Sequence, residues 1–176
     1  MNDVTTYPRV DWRTAVKDSA RFHYNTKNGK SFNAWVCSKG TSRHLGVFTT
    51  TEEAENAVYE FMARRLKVSV REYGLNIDDG VVYMNDYIIF RNGMIFTMSG
   101  RRLDGCICDK TGYNRVTLCG VAARRDKVIA SIFCNKGPGA KYVKHIDGDK
   151  NNNSADNLEW TAEYIFRKKE RKNDQT

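Results

Sequence analysis

Residues 143–160 limit the possible folds of this chain more than any other stretch. Val143, Lys144 and His145 end an alternating, strand-like run, and Ile146, Asp147, Gly148, Asp149 and Lys150 lead into three consecutive asparagines, Asn151 to Asn153. Ser154, Ala155 and Asp156 follow, and Asn157 stands before Leu158, Glu159 and Trp160. A run this rich in Gly and Asn is turn chemistry, because both residues tolerate left-handed backbone. The expected layout is a strand ending in His145, a loop closed by Asn157, a second strand and a final helix.

That wording resembles the HNH nuclease family, the ββα-metal fold of phage and intron-encoded homing endonucleases. Phosphodiester hydrolysis needs a base near the attacking water and a divalent cation that offsets charge on the phosphate and the leaving oxygen. A neutral imidazole titrates near neutrality, and an asparagine amide can fix such a ring through its second nitrogen. The resemblance therefore implies His145 as general base and Asn157 as the residue orienting it. It also implies Mg²⁺ or another divalent cation, and here the sequence departs from the family pattern. The ligand position before the base holds Lys144, and the position on the final helix falls on Phe166, or on Ile165 after a one-residue deletion. An ammonium has no lone pair and repels Mg²⁺. Glu163 is the nearby oxygen donor that remains as a relocated ligand, and Asp126 stands where family members commonly have a histidine. Weak or absent metal binding would remove several kcal/mol of transition-state stabilisation, which is orders of magnitude in rate.

The chain of 176 residues carries 29 Lys and Arg against 21 Asp and Glu, a net charge of +8. Such an excess suits a polyanionic partner, since clustered cations displace counterions from phosphates. The five cysteines are irregularly spaced, so reduced thiols are expected rather than a disulfide framework; Cys106 and Cys108 lack the companions of a usual zinc set. No apolar run is long enough to span a membrane and the start lacks the order of a signal peptide, which leads to an expected intracellular, cytoplasmic location with no membrane partner. A phage origin, in the host cytoplasm, is what the resemblance adds.

In the first third, residues 21–26 and 31–38 alternate as strands about a turn at residues 27–30, and Arg43 to Phe48 forms a third strand. Thr50, Thr51, Glu52 and Glu53 match a capping box, and Ala54, Ala57, Val58, Phe61, Met62 and Leu66 recur at helical spacing. This unit, with Trp35 and residues 45–48, resembles the APETALA-type DNA-binding domain. In that family the exposed sheet face lies in the major groove, so the resemblance makes Arg21, His23, Lys30, Trp35, Lys39 and Arg43 candidate DNA contacts. Each has a plainer reading: Trp35 can pack on the helix, and the basic residues can be a solvated face.

Residues 87–118 resemble the small β-rich module that precedes the HNH site in homing endonucleases, adding Arg101, Arg102 and Arg115 to the phosphate-facing surface, with Lys150 from the Asn-rich loop. The expected fold is α+β. It comprises an APETALA-like domain (1–72, core 21–67), a linker (73–80), the β-rich module (81–120), a ββα HNH domain (121–168) and a basic tail (169–176). The expected function is duplex-DNA binding by a monomer, with metal-dependent nicking if the site is active. The alternative is an inactive HNH-derived regulator, or an inhibitor acting through a protein partner.

Overall fold

The computed structural model describes residues 10–20, 24–27, 31–38 and 41–163. Its longest helix, α2 (Thr51–Glu72), begins as the capping signal requires. The Thr50 hydroxyl accepts the Glu53 N–H at 3.2 Å, and the Glu53 carboxylate accepts from the backbone of Thr49 and Thr50. The hydrogen bond from the Thr49 hydroxyl, the largest influence, helps hold the Glu53 carboxyl below its ordinary pKa. A cap of this kind contributes about 1 kcal/mol. Ala54, Val58, Met62, Leu66 and Val70, four residues apart, form the buried stripe that a helix of this length needs.

Two elements cover that stripe. The antiparallel sheet β1 (Tyr24–Lys27), β2 (Ser31–Ser38) and β3 (Thr41–Phe48) presents Phe32, Ala34 and Val36 to it. A short helix, α1 (Trp12–Ala20), adds Trp12, Ala15, Val16 and Ala20. The alternation of the first third does not signal α1, although its buried residues follow helical spacing. Residues 73–80, expected as a linker, form a turn and a single 3₁₀ turn at Ile77–Asp79. Ile77 joins the first core, and the Asp78 carboxylate accepts the Trp12 indole N–H at 2.9 Å.

The strands β4 (Val81–Tyr83), β5 (Tyr87–Ile89) and β6 (Ile95–Thr97) form a small antiparallel sheet that separates two cores. Val82, Ile88 and Phe96 face the first core, while Tyr87, Ile89 and Ile95 face the second. A strand covered on both faces has no polar alternation, and β5 is buried at all three positions. The second core is completed by β7 (Cys106–Ile107), β8 (Asn114–Leu118), β9 (Val121–Arg124), helix α3 (Arg125–Phe133) and the hairpin of β10 (Tyr142–His145) with β11 (Leu158–Thr161). Ile129 is fully buried among Val116, Leu118, Val143 and Leu158, and the Trp160 indole donates to the Ala130 carbonyl at 3.0 Å. Burying a side chain of this size is worth about 1.5–3 kcal/mol.

Among the described residues the protein is therefore α+β, with three α-helices and four small antiparallel sheets. No helix among them is long and apolar enough to cross a membrane. The helix expected after Trp160, with Ile165 and Phe166, falls on residues 164–176 and lies outside the described residues, as do Arg21, His23, Lys30 and Lys39.

Candidate functional site

His145 ends β10 opposite Leu158 of β11, and its imidazole is 7% exposed. Lys144, one residue earlier, points to the opposite face as strand geometry requires; it is exposed and directly across from Glu159. Beyond His145 the loop is organised by its own side chains. Asp147 is the centre: its carboxylate accepts from the Asp149 N–H at 2.8 Å, the Asn152 amide at 2.8 Å and the Asn157 amide at 2.8 Å. The Asn152 and Asn157 hydrogen bonds, in that order, hold the Asp147 carboxyl below its ordinary range.

Asn157 closes this loop rather than touching the histidine. Its amide N–H donates to Asp147 and to the Asn152 carbonyl at 2.9 Å, and its Oδ1 accepts the Asp147 backbone N–H at 3.0 Å. The polar neighbour of the imidazole is Asn153, whose Oδ1 lies 3.4 Å from His145 Nε2. Asn153 is 6% exposed, and its amide donates to the Asn151 carbonyl at 2.9 Å, which fixes the oxygen toward the ring. The direct Asn157 contact implied by the resemblance is thus replaced among the described residues by Asn153, with Asn157 acting on the loop.

The other side of the imidazole faces Tyr113, with ring centroids 5.9 Å apart. Tyr113 is flanked by two cations: the Arg124 guanidinium lies 3.5 Å from the ring centroid and the Lys150 ammonium 4.4 Å. Lys150 also donates to the Thr111 carbonyl at 2.6 Å. Arg124 is held by Asp126, a carboxylate only 1% exposed, which accepts from Arg124 Nε at 3.0 Å and also pairs with its Nη2. Burial opposes the charge on Arg124, but Asp126 and Tyr113 outweigh it and raise its pKa. Asp126 also accepts the Lys127 N–H at 2.8 Å, so this carboxylate satisfies a free N–H in the first turn of α3 as well as orienting an arginine.

Arg125 plays a different part. Its buried guanidinium donates to the Asn114 side chain at 2.9 Å and to the carbonyls of Gly93 at 2.9 Å, Asp104 at 2.7 Å and Leu103. Burial lowers its pKa, and four neutral acceptors take four of its five N–H donors. The turn at residues 91–93 then clamps the asparagine loop from outside. The Arg91 carbonyl accepts the Ala155 N–H at 2.8 Å, and its guanidinium pairs with Asp156 at 2.6 Å.

The remaining sequence candidates separate. In the first sheet, Trp35 lies opposite His44 on the face away from α2, together with Asn33 and Val47. Arg43 lies opposite Val36 on the helix side, its guanidinium 5.1 Å from the Phe61 ring centroid. Arg102 pairs with Asp104 and stacks on Tyr73 at 4.5 Å, lining with Arg101 a cavity of about 550 Å³ against α2. Arg115 is exposed. Glu163 is exposed, and its backbone N–H donates to Thr161. Among the described residues, no three His, Cys, Asp or Glu side chains gather where they could hold a metal ion.

Asn153, Tyr113, Arg124 and Arg125 are the participants around His145 that sequence reasoning missed. Tyr113 and Arg124 carried the available signal, an aromatic and a basic residue in the strands before the histidine.

No protein-family model and no curated protein matches the chain. A solved structure described as "DNA binding and cleavage by the HNH homing endonuclease I-HmuI" is similar to it at 30% identity, over 43% of this chain and 45% of that one, with a TM-score of 0.37. The match spans less than half of either chain, and a TM-score of that size does not establish a common overall fold.

Proposed function

We propose that this chain binds duplex DNA and sets its nuclease-like strand-loop-strand unit, with His145 at the strand end, against the phosphate backbone, cutting that backbone slowly or not at all. The observation that carries the reading is the pair of cations held on Tyr113, the ring beside the histidine. Lys150 and Arg124 flank Tyr113 beside the ring, and Lys144 precedes it, where an HNH hydrolase needs oxygen ligands. Phe166, at the second family position, supplies no lone pair either.

A divalent cation would supply Lewis-acid stabilisation of the phosphate in such a site. Among the described residues, His145, Asp147 and the amides beside them do not gather into a ligand set for such an ion. The residues of this chain instead neutralise backbone charge with fixed ammonium and guanidinium groups, which raises affinity without generating a nucleophile. His145, 3.4 Å from the Asn153 Oδ1 and beside Tyr113, lies buried beneath that basic surface.

Supercoiled plasmid incubated with Mg²⁺ or Mn²⁺, alongside a mobility-shift measurement, tests this. The expected result is salt-sensitive binding with little or no nicking, and His145→Ala that binds as the parent does. Rapid metal-dependent nicking abolished by His145→Ala would replace this reading with that of an active nuclease. Calorimetry on Lys144→Asp adds a direct check: a gain in Mn²⁺ affinity is expected, and no gain counts against placing Lys144 at a ligand position.

A further inference from the structure

The outer face of the sheet β7–β8–β9 has an arrangement that the fold alone does not require. Val116 and Leu118 of β8 point inward to the second core, so Arg115 and Thr117 point outward, and Tyr113 continues that outward series at the start of the strand. Arg115 pairs in register with Arg124 of β9, which places the two Cα atoms opposite each other and sends both side chains to one face. Like charges at opposed positions of an antiparallel pair are unfavourable; Arg124 is required as the partner of the buried Asp126, whereas nothing in the packing of the second core requires Arg115. Asp126 offsets only one of them, and it does so from a buried position on the Arg124 side.

Lys150 completes the group from the asparagine loop. Its ammonium gives one N–H to the Thr111 carbonyl and lies over Tyr113 on the same ring that Arg124 covers. The cations are oriented before any ligand arrives: Arg124 by a buried carboxylate, Lys150 by a carbonyl and a ring. The same ring lies beside His145, tilted at 36° with the centroids 5.9 Å apart.

We propose that Arg115, Arg124 and Lys150, arranged around Tyr113, form a seat for a backbone phosphate of duplex DNA next to His145. The inference rests on the DNA-binding reading above and deepens it by naming where a phosphate sits and which side chains hold it. Fork-shaped guanidinium donors match two phosphate oxygens, and the paired register of Arg115 and Arg124 sets both side chains on the same outer face. Arg115 is exposed on the sheet face, which suits a phosphate within a continuous polyanion.

Anisotropy of a fluorescein-labelled duplex, titrated with the full chain over a range of salt concentrations, tests the seat. Arg115→Gln and Lys150→Gln are each expected to weaken binding about threefold to tenfold and to lower the slope of log affinity against log salt by about 1. Arg64→Gln, which removes one exposed charge from α2, is the control and is expected to leave the slope as it was. Arg124→Lys keeps the charge beside Asp126 but loses the fork, and should weaken binding less than Arg115→Gln does. Circular dichroism melts confirm that each variant is folded; if Arg124→Lys is not, the two glutamine variants still decide. Parental binding with unchanged slopes in both glutamine variants overturns the seat and leaves the DNA-binding reading standing. Failure of the parent to bind duplex overturns both, as does binding of an acidic peptide in place of duplex.

Discussion

Gly93 sets its bare Cα against the Asn153 carbonyl: a Cβ built on Gly93 would lie 2.6 Å from that oxygen. The contact joins the β5–β6 turn to the residue whose side chain faces His145. Gly93 also has φ +88, a conformation that side-chain-bearing residues rarely adopt. Gly93→Ala is therefore expected to destabilise the fold by about 2 kcal/mol or more, from backbone strain and displacement of the loop. Urea unfolding reads the stability, and the His145 ring resonances should move. An unchanged midpoint would show that the loop yields freely at Asn153.

Arg125 is the second point of attachment. Arg125→Met preserves the approximate length of the side chain but leaves the carbonyls of Gly93, Leu103 and Asp104 and the Asn114 side chain without their common donor. Buried acceptors left unsatisfied cost about 1–3 kcal/mol each, so a loss of about 3 kcal/mol or more is expected after relaxation and water entry. Thermal unfolding of Arg124→Met and Arg125→Met side by side checks this. Both variants should be destabilised by about 3 kcal/mol or more, the Arg124 variant because it leaves the buried Asp126 carboxylate without its cation, and only that loss should shrink at acid pH where the carboxyl is neutral.

The sequence revealed elements whose signals are local, and it concealed contacts that depend on phase. The capping box at Thr50 and the helical stripe after it specified α2 because both lie within one element. The turn after His145 was legible because glycine and asparagine have few other reasons to cluster. Three adjacent asparagines plus Asn157, however, are one residue type in four positions, and only the folded loop shows that Asn153 takes the ring while Asn157 takes Asp147. Arg43 shows the same limit in a strand. Strict alternation from Phe48 places it on the outer face, but the register shifts between Ala34 and Trp35, so β3 skips Leu45 and turns Arg43 to the helix side. Gly46, at φ +146, lies next to that irregularity. Likewise Arg124 and Arg125 are adjacent and chemically alike. The phase at which β9 gives way to α3 decides which one is buried.

Cys108 is expected to be an unusually reactive thiol. It precedes the tight turn in which the Thr111 and Gly112 N–H groups bond to the Cys108 carbonyl, and hydrogen bonds from the Thr111 side chain and backbone, the leading causes, lower its pKa, with Arg115 adding a smaller effect. The thiolate is the nucleophile, so iodoacetamide should modify Cys108 at lower pH than it modifies N-acetylcysteine. Thr111→Val should shift the half-point of the pH–rate curve upward. Mass spectrometry of tryptic peptides after timed alkylation measures both, and a curve unaffected by Thr111→Val would remove the hydroxyl as the cause.

Asp147 makes the loop around His145 acid-sensitive in a defined direction. Its folded pKa is depressed, chiefly by the Asn152 and Asn157 amides, so its stabilising contribution is present above the ordinary carboxylate value and is lost as pH falls through the lower, folded value. With ordinary aspartate near about 3.9, the loop should keep its hydrogen bonds at neutral and mildly acid pH and release them only below that point. Hydrogen exchange at the Asp149 amide, which donates to Asp147 at 2.8 Å, reports the opening directly. In Asp147→Asn the side chain no longer titrates and accepts fewer hydrogen bonds. The loop should then be looser at neutral pH, with its exchange rate no longer following the acid transition once intrinsic exchange is subtracted. An acid transition that persists in Asp147→Asn would assign the titration to another group.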